Sequence, residues 1–153
     1  MRSLKEEYDL CISEGLILKQ EEINKGKIGR ILSLAESSLK AAHSLEEINL
    51  KKEISWEVVY DIYYDALREV VSCYLAFDFV KILNHKCLFA CLCFNHPDLE
   101  LSWDFFEKTR TKRNNIKYYG ENISYQEFKS LKVQLNLYIE FLKKEIQSKF
   151  SKL

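Results

Sequence analysis

Glycine and proline are scarce, with four glycines and one proline in 153 residues. Few turn-formers mean few turns, which excludes an architecture of many short strands and favours long helices. Net charge is absent as well, because 23 Lys and Arg balance 23 Asp and Glu. No global field therefore draws the chain to nucleic acid or to an anionic membrane, and any basic site must be local. Long apolar runs are missing too. The best stretch, Phe77 to Phe94, is broken by Asp78, Lys81, His85 and Lys86, far short of the ~20 apolar residues that span a bilayer. The opening "MRSLKEEYDL" is amphipathic and has no secretory h-region. These absences predict a cytoplasmic protein with no membrane partner. Its five cysteines, an odd number, are then expected to be free and mostly buried thiols.

What is present is apolar and aromatic. Apolar residues make up 47% of the chain, with nine Phe, nine Tyr and two Trp, too many for a disordered tail. The length fits one domain over residues 1–153.

Periodicity predicts the helices. The first covers about Ser3 to Glu14, with Leu4, Tyr8 and Cys11 on one stripe and Gly15 as its stop. A second starts at Glu21 or Lys27 and ends at His43, with Ile28, Ile31, Leu32, Ala35, Leu39 and Ala42 in register. Ser44 and Glu47 have capping-box spacing, so a brief further turn is expected before Glu53. Ser55 reads as an N-cap. The stripe Trp56, Val59, Tyr60, Tyr63, Leu67, Val70, Val71, Tyr74 then marks a wide, central helix. A short buried helix is expected from His85 to Phe94, ended by Asn95-His96-Pro97-Asp98. The next helix runs from Ser102 to Tyr119 and stops at Gly120. Ser124 and Glu127 start the last, which carries Phe128, Leu131, Leu135, Tyr138, Leu142 and Ile146 on one face. Long helices with short connections predict an all-α, antiparallel four-helix bundle with additional short helices.

One segment is locally basic. Lys108, Arg110, Lys112, Arg113 and Lys117 lie within ten positions with no acid among them. At 100° per residue, Arg110, Arg113 and Lys117 fall within about 60° of one another. Asn114 follows Arg110 at the i+4 spacing. Such a face can hold a phosphate, with Arg binding it bidentately. It can equally be a solvated basic face near a helix C-terminus. Tyr118, five residues after Arg113, lies about 140° away on an ideal helix. The two share a site only if the helix end is distorted at Gly120 or a second chain completes it. Without that, Tyr118 is simply exposed and Tyr119 belongs to the core.

A second cluster holds His85, Cys87, Cys91, Cys93 and His96 within twelve positions. It has the ligand types for zinc but no C-x-x-C knuckle, and Leu88, Phe89, Leu92 and Phe94 around it read as core. No metal and no cofactor are expected. His85 alone reads as a capping or buried, hydrogen-bonded residue, and His43 has no company.

The run "RNNIKYYG" (Arg113 to Gly120) and the stretch "YDIYYDALREVVSCYLAFDFVKILNHKCLFACL" together resemble prokaryotic HEPN domains, over about Lys27 to Lys149. Arg113 and Asn114 match the family's Arg and polar follower, Tyr118 stands where a four-residue gap puts His, and His85 matches a His often found at that loop's end. The resemblance implies a helical bundle, a homodimer that joins two motifs, and metal-independent endonucleolytic RNA cleavage in a toxin–antitoxin or defence system. On this chain it assigns catalysis to Arg113, Asn114 and Tyr118, and RNA or nucleotide phosphate binding to Arg110, Lys117 and Arg113. A phenol of pKa ~10 is a poor proton acceptor at neutral pH, and acid–base help is worth ~10²–10⁴-fold. The departure at Tyr118 therefore implies weak or lost cleavage with binding retained. The alternative is a non-catalytic interaction or dimerisation module partnering a nucleotidyltransferase. In some relatives that partner modifies a Tyr at the position Gly120 holds here.

Overall fold

The computed structural model describes residues 2–52 and 55–153. In chain order it contains α1 (Leu4–Ser13), β1 (Ile17–Lys19), α2 (Lys25–Lys52), α3 (Trp56–Ala76), β2 (Val80–Ile82), α4 (His85–Asn95), a 3-10 turn (Pro97–Leu99), α5 (Trp103–Tyr119) and α6 (Tyr125–Ser151). The all-α reading holds. Four long helices, α2, α3, α5 and α6, form the bundle, and α1 and α4 are the short additions.

Side-chain contacts fix the helix directions. The Tyr63 hydroxyl donates to Glu46 (2.7 Å) while Cys73, further along α3, reaches back to the Ile28 carbonyl (3.9 Å), so α2 and α3 are antiparallel. Phe105 meets Tyr138 (5.2 Å) and Lys112 meets Glu127 (3.2 Å), so α5 and α6 are antiparallel. Trp56 stacks on Phe128 at one end and Phe77 meets Phe150 at the other, so α3 and α6 run parallel. This is up-down-up-down order, and the parallel pair α3 and α6 are in direct contact. The contact explains the width of the α3 stripe: Val59, Tyr60, Tyr63, Tyr64, Leu67 and Val70 have no exposed surface. Fully burying one such side chain stabilises the fold by about 1.5–3 kcal/mol.

The end signals behave unevenly. Gly15 and Gly120 take positive φ (68° and 66°) just past α1 and α5, a conformation that needs no Cβ. Ser3, Asn84, Ser102 and Ser124 each accept an amide at their helix starts. Ser55 stands at the N-cap of α3 but makes no capping bond; its hydroxyl donates to Glu57 instead. The expected break at Ser44 does not occur, because α2 continues through it to Lys52. Ser44 and Glu47 are tolerated in a helix interior, and capping spacing does not by itself end a helix that tertiary packing carries on. Glu53, where that further turn was to finish, lies outside the described residues.

Two features were not expected. The first is a small antiparallel ribbon pairing Ile17 with Ile82, Leu18 with Lys81 and Lys19 with Val80. It is extended by Leu83 N–H to the Leu16 carbonyl (3.0 Å) and Gln20 N–H to the Phe79 carbonyl (2.8 Å). Runs of three residues are too short to show alternation in sequence. The second corrects the free-thiol expectation: Cys11 and Cys87 form a disulfide across 76 residues. α1 packs on α4, with Tyr8 stacked on Phe94 (4.2 Å), and this brings together two cysteines far apart in sequence. Cys73, Cys91 and Cys93 remain free and buried. Among the described residues no helix is long and apolar enough to cross a membrane.

Candidate functional site

Polar links to α3 hold α5 and the segment that follows it. The Tyr60 hydroxyl donates to the Thr109 carbonyl (2.7 Å) inside the core, and Glu57 accepts the Ile123 amide (3.0 Å) just past the helix. Phe89 of α4 stacks on Phe106 of α5 at 4.7 Å. These contacts set the start of α4 beside the middle of α5.

An open depression of about 430 Å³ lies between them, lined by Leu83, Asn84, His85, Lys86, Arg110, Arg113, Asn114 and Tyr118. Five residues singled out from sequence thus share one surface: His85, Arg110, Arg113, Asn114 and Tyr118. Lys117 is not in its lining, but its ammonium lies 3.1 Å from Asp61, the carboxylate that also takes Arg113. Tyr118 reaches the depression from a widened helix end. The amides of Gly120 and Glu121 both return to the Asn115 carbonyl, whereas a regular turn would send Gly120 to Ile116. Tyr119 does not belong to the core; it is 82% exposed, because the same final turn points away from the bundle. Lys112 leaves the cluster altogether and pairs with Glu121 and Glu127 on the opposite side of α5.

Each cation at the depression has a carboxylate. Glu107, itself buried, holds Arg110 through both oxygens (2.9 and 3.2 Å). Burial works against the Arg110 charge, but the Glu107 pair outweighs it and keeps the guanidinium pKa above its usual value. Arg113 donates Nε–H to Asp61 (3.3 Å), and its guanidinium lies over the Tyr64 ring, 5.5 Å from the centroid. Lys86 pairs with Glu7 of α1 (3.1 Å). Lys86, Arg110, Arg113 and Lys117 thus lie against Glu7, Glu107 and Asp61, and Arg2 shares Glu7 with Lys86.

His85 is hydrogen-bonded and half-buried, as its sequence reading expects. It is the first residue of α4, and its Nδ1 lies 3.2 Å from the Tyr64 hydroxyl. Burial lowers its pKa to about 4, reinforced by Arg68, Arg113 and Arg110. It is therefore neutral at neutral pH. Burial raises the Tyr64 phenol, so this hydroxyl keeps its proton; where it donates to Nδ1, the imidazole's own proton is on Nε2. The backbone adds to this. Asn84 Oδ1 accepts the Cys87 amide (2.8 Å), while the amides of His85 and Lys86 have no acceptor within the helix. Guanidinium groups, a neutral imidazole, a carboxamide and a helix N-terminus on one open surface can together receive an anion.

The cysteine cluster does not assemble. Cys87 is bonded to Cys11. Burial pushes the Cys91 and Cys93 thiols up to about 11 and 12. His96 turns to Asp78. Among the described residues no three His, Cys, Asp or Glu side chains converge as a metal site. The residues missed from sequence are Asp61 and Glu107. Nothing in the local pattern marks them as partners of Arg113 and Arg110 across the fold.

No family model matches the chain, and no match was found among curated proteins or solved structures.

Proposed function

We propose that this chain is a HEPN-type helical module that binds RNA or a nucleotide through a phosphate seated between Arg110, Arg113, Asn114 and the first turn of α4. The observation that carries the reading is the shared depression, where side chains from α5 meet a helix start and His85. Lys117 contributes charge at the rim. Metal-independent RNA cleavage is at most a weak accompaniment, since Tyr118 replaces a proton acceptor. The reading includes a cytoplasmic site of action, which requires the Cys11–Cys87 link to persist against cytosolic reductants, and a two-fold homodimer, the latter checked by light scattering at micromolar concentration.

The test is binding of a labelled single-stranded oligoribonucleotide at low salt to wild type and to Arg113→Ala. Weakened binding with an unchanged circular dichroism spectrum supports the reading. Equal binding contradicts it.

A second reading, a non-catalytic interaction module partnering a nucleotidyltransferase, is favoured by one observation. Asp61 and Glu107 already occupy the two arginines, as expected if these ion pairs serve to join α3 to α5 and to brace α5. Under that reading Arg113→Ala destabilises the fold and leaves RNA affinity negligible in both proteins.

A further inference from the structure

α4 is covered on two sides. Phe89 stacks on Phe106 of α5, and Leu92 is fully buried in the bundle core. The opposite stripe, Cys87, Ala90, Cys91 and Phe94 at i, i+3, i+4 and i+7, faces α1. Cys87 is bonded to Cys11, and Tyr8 stacks on Phe94. Asn95 Nδ2 reaches both the Tyr8 hydroxyl (3.4 Å) and the Cys91 sulfur (3.3 Å). Cys87, Ala90 and Cys91 are buried. α1 itself brings little to this contact. Of its ten residues only Glu7 and Cys11 are buried. Leu4, Tyr8 and Leu10 are half-buried, and Ile12 is exposed. The Oε2 atom of Glu7 lies 3.1 Å from Lys86 and 3.7 Å from Arg2, with no aligned hydrogen bond among the described residues. Burying such a carboxylate costs free energy. A helix of ten residues is also too short to persist alone in water. The covalent link is therefore the strongest hold on α1.

We propose that Cys11–Cys87 is a redox latch, closed with α1 on α4 and opened by a dithiol reductant. Both sulfurs are buried, so attack waits on loosening of α1 and the closed form is long-lived. One thiolate of the dithiol attacks a latch sulfur and displaces the other as a thiolate. The second thiol of the dithiol then resolves the mixed disulfide. The S–S bond of the latch is replaced by that of the oxidised reagent, and the protein gains two electrons and two protons as the Cys11 and Cys87 thiols. With the bond gone, α1 leaves α4 and melts, tethered by β1, which stays paired with β2. Opening bares Cys87, Ala90 and Cys91 and takes Glu7 away from Lys86. The four long helices keep their packing, because the contacts that join them do not involve α1. The latch stands whatever the depression binds.

Hydrogen exchange and alkylation of the full chain without denaturant, before and after reduced dithiothreitol, test this. Opening of the link is read by mass as two added hydrogens. The amides of α1 should then exchange faster by on the order of tenfold or more, while those of α2, α3, α5 and α6 keep their rates. Iodoacetamide should leave the oxidised chain unmodified and label Cys11, Cys87 and Cys91 after reduction. Cys73, packed on the Ile28 carbonyl, should stay unlabelled. Reoxidation should restore the protection of α1. The Cys11→Ser/Cys87→Ser double variant should exchange like the reduced chain and no longer respond to dithiothreitol. A reduced chain whose α1 keeps its protection and whose Cys91 stays unlabelled overturns the proposal, since packing alone then holds the helix. Loss of protection in every helix at once overturns it too, because the link is then a staple of the whole fold. So does a link that dithiothreitol cannot open without denaturant, or one absent from the oxidised chain.

Discussion

Arg113 donates Nε–H to Asp61 at 3.3 Å across the α3–α5 junction, and Lys117 lies 3.1 Å from the other oxygen of the same carboxylate. One acid therefore restrains two of the three cations proposed to meet a phosphate. An incoming anion competes with Asp61 for Arg113. Asp61→Asn keeps a hydrogen-bond acceptor in place and removes the charge. It should tighten phosphate and nucleotide binding by a few-fold, the scale of a partly exposed ion pair at ~1 kcal/mol. Titration calorimetry on the variant checks this. Weaker binding would mean that Asp61 orients Arg113 for the ligand and does not compete with it.

His85 provides a pH signature. Its pKa in the fold, about 4, lies below the ordinary value of 6.5. Between those values the unfolded chain binds a proton that the folded chain does not, so stability rises with pH there. The contribution is fully present above about pH 6.5 and is lost as pH falls through about 4. Urea midpoints across this window should fall with acid, and His85→Gln should flatten the part that His85 supplies. Phosphate in the depression should offset the field of Arg110 and Arg113 and raise the His85 pKa. An NMR titration of the ring protons with and without phosphate reads this directly. A His85 pKa unchanged by saturating phosphate would place the anion elsewhere.

The Cys11–Cys87 disulfide closes a long loop and fastens α1 to α4. Loop-closure reasoning over this 76-residue separation gives about 4.5 kcal/mol, against about 2–4 kcal/mol for a typical link. Alkylation in denaturant without reductant should therefore modify three cysteines, and five after reduction. Cys11→Ser should lower the urea midpoint by a corresponding amount. Five alkylated cysteines without reductant would show the link to be absent.

The helices were legible because their apolar positions repeat at 3.6 residues over long runs, as from Trp56 to Tyr74. The last turn of α5 was legible from Gly120, which takes the left-handed conformation that glycine permits. The Ile17–Ile82 ribbon and the Cys11–Cys87 link were not, since both depend on segments far apart in sequence meeting in space. The candidate site was half legible. Arg110, Arg113 and Asn114 share a helix face that spacing alone reveals. His85 reads from sequence as a capping or buried, hydrogen-bonded residue, but its partner Tyr64, like Asp61 and Glu107, follows from how α3, α4 and α5 pack, which no local spacing encodes.

The central claim is that a phosphate-bearing ligand enters the depression between α4 and α5. Amide chemical-shift mapping with a single-stranded oligoribonucleotide at low salt tests it most directly. The account predicts the largest shifts at His85, Lys86, Arg110, Arg113, Asn114 and Tyr118, diminishing as salt rises. Shifts confined to another face, or none at saturating oligonucleotide, would contradict it.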